Sequence, residues 1–245
     1  MRRFAPAPNH RGVLLPRSLG LLVLAGAAAW TLGAELAGQV GRAGWVALAG
    51  CGVVFAAGLV DDLVPTGPRG LRGHLRALLQ GRVSTGVVKL VAIAGAAVLT
   101  VGLADPRPGW VRLAGAMLVA AAANAANALD VRPGRTLKAS LPVALAAALA
   151  GAPGRLPPLL GALAGAAAAL PFDLRERAML GDSGANLVGF AAGLGLYGVL
   201  PAWAVAAAAA AAVALNLLAE TVTFSALIER SALLRKWDRL GRLPD

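Results

Sequence analysis

Long apolar runs, interrupted by short clusters of charge, proline and glycine, dominate the chain. A membrane-crossing helix needs about 20 mostly apolar residues, within a range of about 17–25. Cutting at each interruption leaves eight segments, at approximately 18–37, 44–60, 86–104, 110–129, 138–151, 157–172, 184–200 and 202–228. The pattern therefore predicts an all-α fold, a polytopic integral membrane bundle of about eight transmembrane helices. The fifth and sixth segments are short, and the last is long enough to hold a bend or an interfacial continuation. No repeat of 20–50 residues is visible, and the small residues in the alanine runs let helices pack closely without implying a function.

The basic residues orient this bundle, because Lys and Arg collect in cytoplasmic loops. With the N-terminus inside, only Arg42, Arg107, Arg112 and Arg155 of the 23 Lys and Arg fall outside, leaving 19 within. Both termini are then cytoplasmic. The expected organisation is a single membrane-embedded domain over 1–245, with a basic flank at 1–17 and a basic tail at 229–245. The basic start reads as the flank of a retained first helix, since no small-residue cleavage motif follows it.

Composition narrows the class further. The chain is 58% hydrophobic and 14% charged, far from an ordinary soluble domain. A net charge of +11 would raise nucleic acid in a soluble protein; with these apolar runs it indicates anionic headgroups instead, and no nucleic acid is expected. The lone cysteine, Cys51, excludes a disulfide framework or a Cys-ligated zinc site.

The acids follow the bases. Asp61, Asp62, Asp130, Asp173, Glu176 and Asp182 all lie in or beside cytoplasmic loops in this arrangement. Chemistry at that face is expected, whereas a transporter should place ionisable groups near mid-bilayer. Glu35 lies near an outer helix end. Glu220, near Asn216, Thr221 and Ser225, is a candidate to face the bundle interior and orient a cytoplasmic site.

Three polar constellations stand out. In the first, Asp61-Asp62 precedes the basic stretch Arg69-Gly70-Leu71-Arg72-Gly73-His74-Leu75-Arg76. Neighbouring carboxylates repel, so in a partly desolvated site they require a cation, or one keeps its proton; a divalent ion or the loop arginines could serve. His74 is a candidate phosphate contact or proton carrier.

The second constellation is Asn124, Asn127 and Asp130, with Arg132, Gly134, Arg135 and Lys138 behind it. Its spacing of three and three lays the polar groups along one helical stripe. They must face protein, water or ligand; their oxygens suit a hard cation such as Mg²⁺, and amide bonds between helices are the alternative. The third is Met179-Leu180-Gly181-Asp182-Ser183-Gly184-Ala185-Asn186, where Asp182 can cap a helix and glycines let a metal-bound diphosphate approach its N-terminus.

In this order the strings resemble the polyprenyl-phosphate N-acetylhexosamine-1-phosphate transferases, glycosyltransferase family 4, which includes the phospho-N-acetylmuramoyl-pentapeptide transferase. The likeness spans roughly Leu59 to Gly189. It implies Mg²⁺-dependent transfer of a sugar-1-phosphate from a UDP-sugar to a polyprenyl phosphate such as undecaprenyl phosphate, with release of UMP. Such an enzyme would act at the plasma membrane in cell-wall or surface-glycan synthesis; a homodimer is one assembly open to it.

By the same resemblance Asp61 is the acid/base or lipid-phosphate-orienting carboxylate supported by Asp62, Asn127 and Asp182 ligate Mg²⁺, and Asp61, Asp62 and Asp182 together count as catalytic. Asp130 lines the nucleotide pocket with Asn124 beside it, and Arg72, His74 and Arg76 contact substrate. Leu63-Val64-Pro65 replaces a third acid, Val131 a glycine, and no histidine-rich last loop is present. The resemblance is thus to a shortened, divergent member. Its alternative is a catalytically weak relative that binds lipid-linked precursors or scaffolds a wall-synthesis complex.

Overall fold

A computed structural model describes residues 5–64, 70–104, 106–151 and 157–244. A short antiparallel hairpin, β1 (Pro6–Pro8) and β2 (Leu14–Pro16), leads into α1 (Leu19–Leu36) and α2 (Arg42–Leu63). Next come α3 (Gly70–Leu79), α4 (Thr85–Ala104), α5 (Gly109–Leu129), α6 (Arg135–Leu149), α7 (Pro157–Leu174) and α8 (Gly181–Val199). The chain closes with α9 (Ala202–Ala219), α10 (Phe224–Arg230) and α11 (Ala232–Arg239).

Seven of the eight apolar segments fall on one helix each, and the last falls on two. Among the described residues, six helices (α1, α2, α4, α5, α7 and α9) are long and apolar enough to cross a membrane. Helix α6 has 15 residues, and α8 carries Asp182, Ser183 and Asn186 along with many glycines. The long last segment breaks at Glu220 into α9 and α10, and α11 follows beyond it.

Helix α8 is the axis of the bundle, with 15 of its 19 residues buried. It packs against α1, α2, α5, α6 and α7, and a helix covered on every side has no need of an amphipathic stripe. Its own Leu187 and Phe190, with Val23, Val54, Ile93 and Leu118 of neighbouring helices, build the core. Outward faces carry large exposed side chains such as Val91, Leu99, Leu113 and Leu32, the surface a lipid solvent accepts at no cost. This is a membrane protein.

One end of the bundle gathers the C-termini of α2, α5, α7 and α9 and the N-termini of α1, α4, α6 and α8. The pairings Arg17–Asp62, Lys89–Asp61, Asn127–Asp182 and Gly134–Asp173 all bridge helices there. The hairpin, absent from the sequence expectations, has a local cause. Asn9 turns it by accepting from Arg11 N and Val13 N through Oδ1, both at 2.9 Å, and Glu176 accepts from Asn9 Nδ2 at 2.6 Å. The chain entering α1 then runs beside the chain entering α8: Met179 N donates to Pro16 O, and Leu19 N to Met179 O.

Candidate active site

The site begins where α2 meets the start of α8. A Cβ on Gly58 would stand 2.5 Å from Ser183 Cα, so glycine at 58 lets the two backbones touch and brings Asp61 and Asp62 to the α8 N-terminus. We expect Gly58→Val to cost at least about 1–3 kcal/mol, since the obstacle is backbone and cannot rotate away. A lowered thermal midpoint in detergent would register it, and an unchanged midpoint would contradict this packing.

Asp62, only 2% exposed, accepts from Asp182 N and Ser183 N, each at 3.0 Å. The sequence reading gives the cap of α8 to Asp182; the structure gives it to Asp62, reaching across from another helix, while Asp182 sits in the first turn. The first N–H groups of a helix have no partner within it, and here a buried carboxylate satisfies two. Arg17 Nη1 balances its charge at 2.9 Å. Gly181 adopts φ +68, and a Cβ there would lie 2.7 Å from Asp62 Oδ2, so both backbone and space demand glycine.

Asp61 faces the other way. Its Oδ1 accepts from Thr85 Oγ1 at 2.5 Å and its Oδ2 from Lys89 Nζ at 2.7 Å. Lys89 Nζ also donates to Asp182 Oδ2, and Asn127 Nδ2 lies 3.5 Å from the same oxygen. One ammonium from α4 thus joins carboxylates from α2 and α8, with an amide of α5 alongside. Side-chain exposure rises from 8% at Lys89 through 18% at Asp61 to 32% at Asp182, so the cluster opens on the Asp182 side.

At the same end of the bundle lies a cavity of about 320 Å³, lined by Asn9, His10, Asp130, Asp173, Glu176 and Met179 among others. Desolvation, together with the carboxylates of Asp173, Asp182 and Asp62, pushes the Asp130 carboxyl well above the usual range. Buried Asp173 accepts from Gly134 N at 2.7 Å and so holds the turn after Asp130. Thr136 Oγ1 secures the end of α5 by donating to Ala126 O at 2.9 Å. Glu176, at φ +51, is held by Arg11 Nε at 3.1 Å and fastens the hairpin over the cavity. His10 Nε2 is buried without a partner among the described residues.

The structure thus brings Asp61, Asp62, Asn127 and Asp182 together and sets Asp130 beside them. Asn124 goes elsewhere: its Nδ2 donates to Asn216 Oδ1 at 2.5 Å, while Asn216 Nδ2 donates to Ala121 O and Ala212 O. This is the interhelical amide bonding that the spacing also allowed. His74 Nδ1 pairs with Ser84 Oγ at 2.8 Å, one residue before Thr85, and its ring rests where a Cβ on Gly86 would be. Arg76 is exposed on α3; the side chain of Arg72, like Arg69 and Pro65, lies outside the described residues. Glu220, half-buried, is the C-cap residue of α9, with its carboxylate against Gly70 at the start of α3. Glu35 accepts from Trp45 Nε1 at the opposite end.

Sequence reasoning overlooked Lys89, Thr85 and Arg17. Lys89 carried a usable signal, since a lone cation within an apolar helix points to function or a buried partner. Arg17 and Thr85 carried none, because their partners lie 45 and 24 residues away in sequence.

Among the described residues no three His, Cys, Asp or Glu cluster as a metal cage. Two carboxylates and an amide at an open site nevertheless fit Mg²⁺, which keeps most of its waters and takes few protein ligands. A family model described as glycosyl transferase family 4 matches residues 44–200, the stretch from α2 to α8 that holds Asp61, Lys89, Asn127, Asp130 and Asp182. No curated protein and no solved structure matches the chain.

Proposed function

The chain belongs to glycosyl transferase family 4, and from that premise we propose that it transfers a sugar-1-phosphate from a UDP-sugar to a polyprenyl phosphate, releasing UMP. The observation that carries this reading is the meeting of Asp61, Asp182 and Asn127 around Lys89, beside a cavity walled by Asp130. Phosphoryl transfer depends mainly on positioning and charge neutralisation, and this cluster offers both where a membrane helix ends.

In the proposed reaction an oxygen of the lipid phosphate attacks the β-phosphorus of the donor. The bond from that phosphorus to the bridging oxygen breaks, and UMP leaves with the electron pair. Asp61, fixed by Thr85 and Lys89, orients the lipid phosphate and accepts its proton when one is present. Lys89 supplies positive charge at the place where diphosphate oxygens crowd. Asn127 and Asp182 would hold Mg²⁺, whose chemistry there is to neutralise the diphosphate. Asp130, in the wall of the cavity, is suited to contact the donor's nucleoside there. Asp62 is a positioning residue, since it acts through the α8 N-terminus.

We propose further that this reaction takes place at the cytoplasmic face of the plasma membrane, in the making of lipid-linked intermediates for wall or surface glycans, a reading supported by family membership and by the gathering of the acids at one end of the bundle. We extend the reading to eight crossings with both termini inside, on the basic-residue asymmetry. One observation favours the second reading, a catalytically weak relative that binds lipid-linked precursors: the Lys89 ammonium already pairs with both carboxylates. Purified protein given Mg²⁺, polyprenyl phosphate and a panel of UDP-sugars should release UMP, with Asp182→Asn reducing the rate by about 10²-fold or more. Failure with every donor, joined to an unchanged cellular phenotype for Asp182→Asn, would leave the second reading standing.

A further inference from the structure

The last two helices lie outside the family match and touch none of the reacting groups, yet they are closely tied to the bundle. Asp238 on α11 is 2% exposed and takes a two-pronged contact from Arg135, Nε at 2.7 Å and Nη2 at 3.1 Å. Arg242 adds a third bond at 2.8 Å. Lys138 donates to the carbonyls of Trp237, Asp238 and Leu240, and Arg11 to those of Leu243 and Pro244. The rotation of α11 about its own axis is therefore set by a buried ion pair.

With that rotation, Leu233 and Trp237 fall at i and i+4 on one arc, flanked by Leu234, and Leu240 follows at the C-cap of the helix. All four are exposed, Leu233 at 77% and Leu240 at 66%. Arg235, Lys236 and Arg239 occupy the rest of the turn. From Phe224 to Pro244 the chain carries five cations against two acids. The tryptophans give an independent bearing. Trp45, Trp110 and Trp203 begin α2, α5 and α9, and Trp30 lies in the last half of α1, all toward the end opposite the site. Trp237 is the single one at the site end, and tryptophans gather at the two membrane interfaces.

We propose that α11 is an interfacial helix, lying along the headgroup layer of an anionic leaflet at the site end, with Leu233, Trp237 and Leu240 in the acyl boundary. Its occupant is a phospholipid surface, because an apolar arc bordered by cations complements anionic headgroups over hydrocarbon. The Arg135–Asp238 clamp passes that seating to α6, and so fixes the height of the bundle in the bilayer. The inference rests on the membrane character of the chain and is independent of the reaction proposed above.

The test uses full-length protein in nanodiscs, with Trp30, Trp45, Trp110 and Trp203 changed to Phe so that Trp237 reports alone. Brominated phosphatidylcholine mixed with phosphatidylglycerol should lower its emission about twofold or more, with aqueous iodide having little effect. Quenching should weaken when phosphatidylglycerol is omitted. A second report comes from Leu233→Cys carrying an environment-sensitive label, since native Cys51 is fully buried; its emission should shift to the blue in anionic discs. Iodide quenching of Trp237 would overturn the proposal by placing the arc in water. Shielding from both bromine and iodide would overturn it too, by showing protein on that face, as would equal quenching in neutral and anionic discs.

Discussion

Lys89→Met should lower UMP release by about 10²–10³-fold, the usual cost of losing one preorganised charge at a reacting centre. The cause lies in the meeting of three helices. The Lys89 ammonium, 8% exposed, is the cation donated to both Asp61 and Asp182, and without it two carboxylates confront each other in a partly desolvated site. The variant should also melt earlier in detergent. Added Mg²⁺ should raise its midpoint more than that of the parent, because carboxylates stripped of their ammonium bind a divalent cation more tightly. Lys89→Arg should rescue stability better than rate, since a planar guanidinium keeps the charge but not its point-like placement. A Met variant as stable and as active as the parent would remove Lys89 from the site.

Asp62→Ala should be the most destabilising change among the acids, at about 3–5 kcal/mol, the range for breaking a buried ion pair on one side. It strands the Asp182 and Ser183 amides and removes the partner of Arg17. Asp61→Asn should behave in the opposite manner, losing about 10²–10⁴-fold in rate with a much smaller fall in midpoint. Asn can still accept from Thr85 or Lys89, and the side chain of Asp61 is partly accessible. Thermal melting and UMP release measured on both variants separate the two neighbours. Equal effects on both readouts would dissolve the distinction between a positioning acid and a reacting one.

That distinction shows where sequence reasoning stops. Asp61 and Asp62 are adjacent and chemically identical, so nothing in the string tells which faces substrate. Successive helical positions lie about 100° apart, and only the placement of α8 and α4 around α2 makes one a helix cap and the other a cluster ligand. The stripe Asn124, Asn127 and Asp130 was legible from spacing, but it divides in space. Asn127 and Asp130 reach the site end, whereas Asn124, nearer the middle of α5, meets Asn216 of α9.

The basic stretches divide in the same way. Arg135 and Lys138 looked like companions of the polar stripe behind Asp130, yet they hold α11 and its tail in place. Glu220 reads in the sequence as a candidate interior acid, and the end of α9 at Ala219 sets its carboxylate against Gly70 of α3. The hairpin left no trace in a hydropathy pattern, because part of its stability comes from backbone partners on the loop before α8.

By itself the sequence determined the membrane class, the positions of the long apolar helices and the three polar strings, since these follow from local hydrophobicity and from spacing along one chain. The tertiary structure alone decided which strings share a cation, which aspartate caps α8, and that Lys89, Thr85 and Arg17 complete the site. The physical reason is reach: a side chain chooses among partners within a few ångströms, and helix packing rather than chain order brings those partners near.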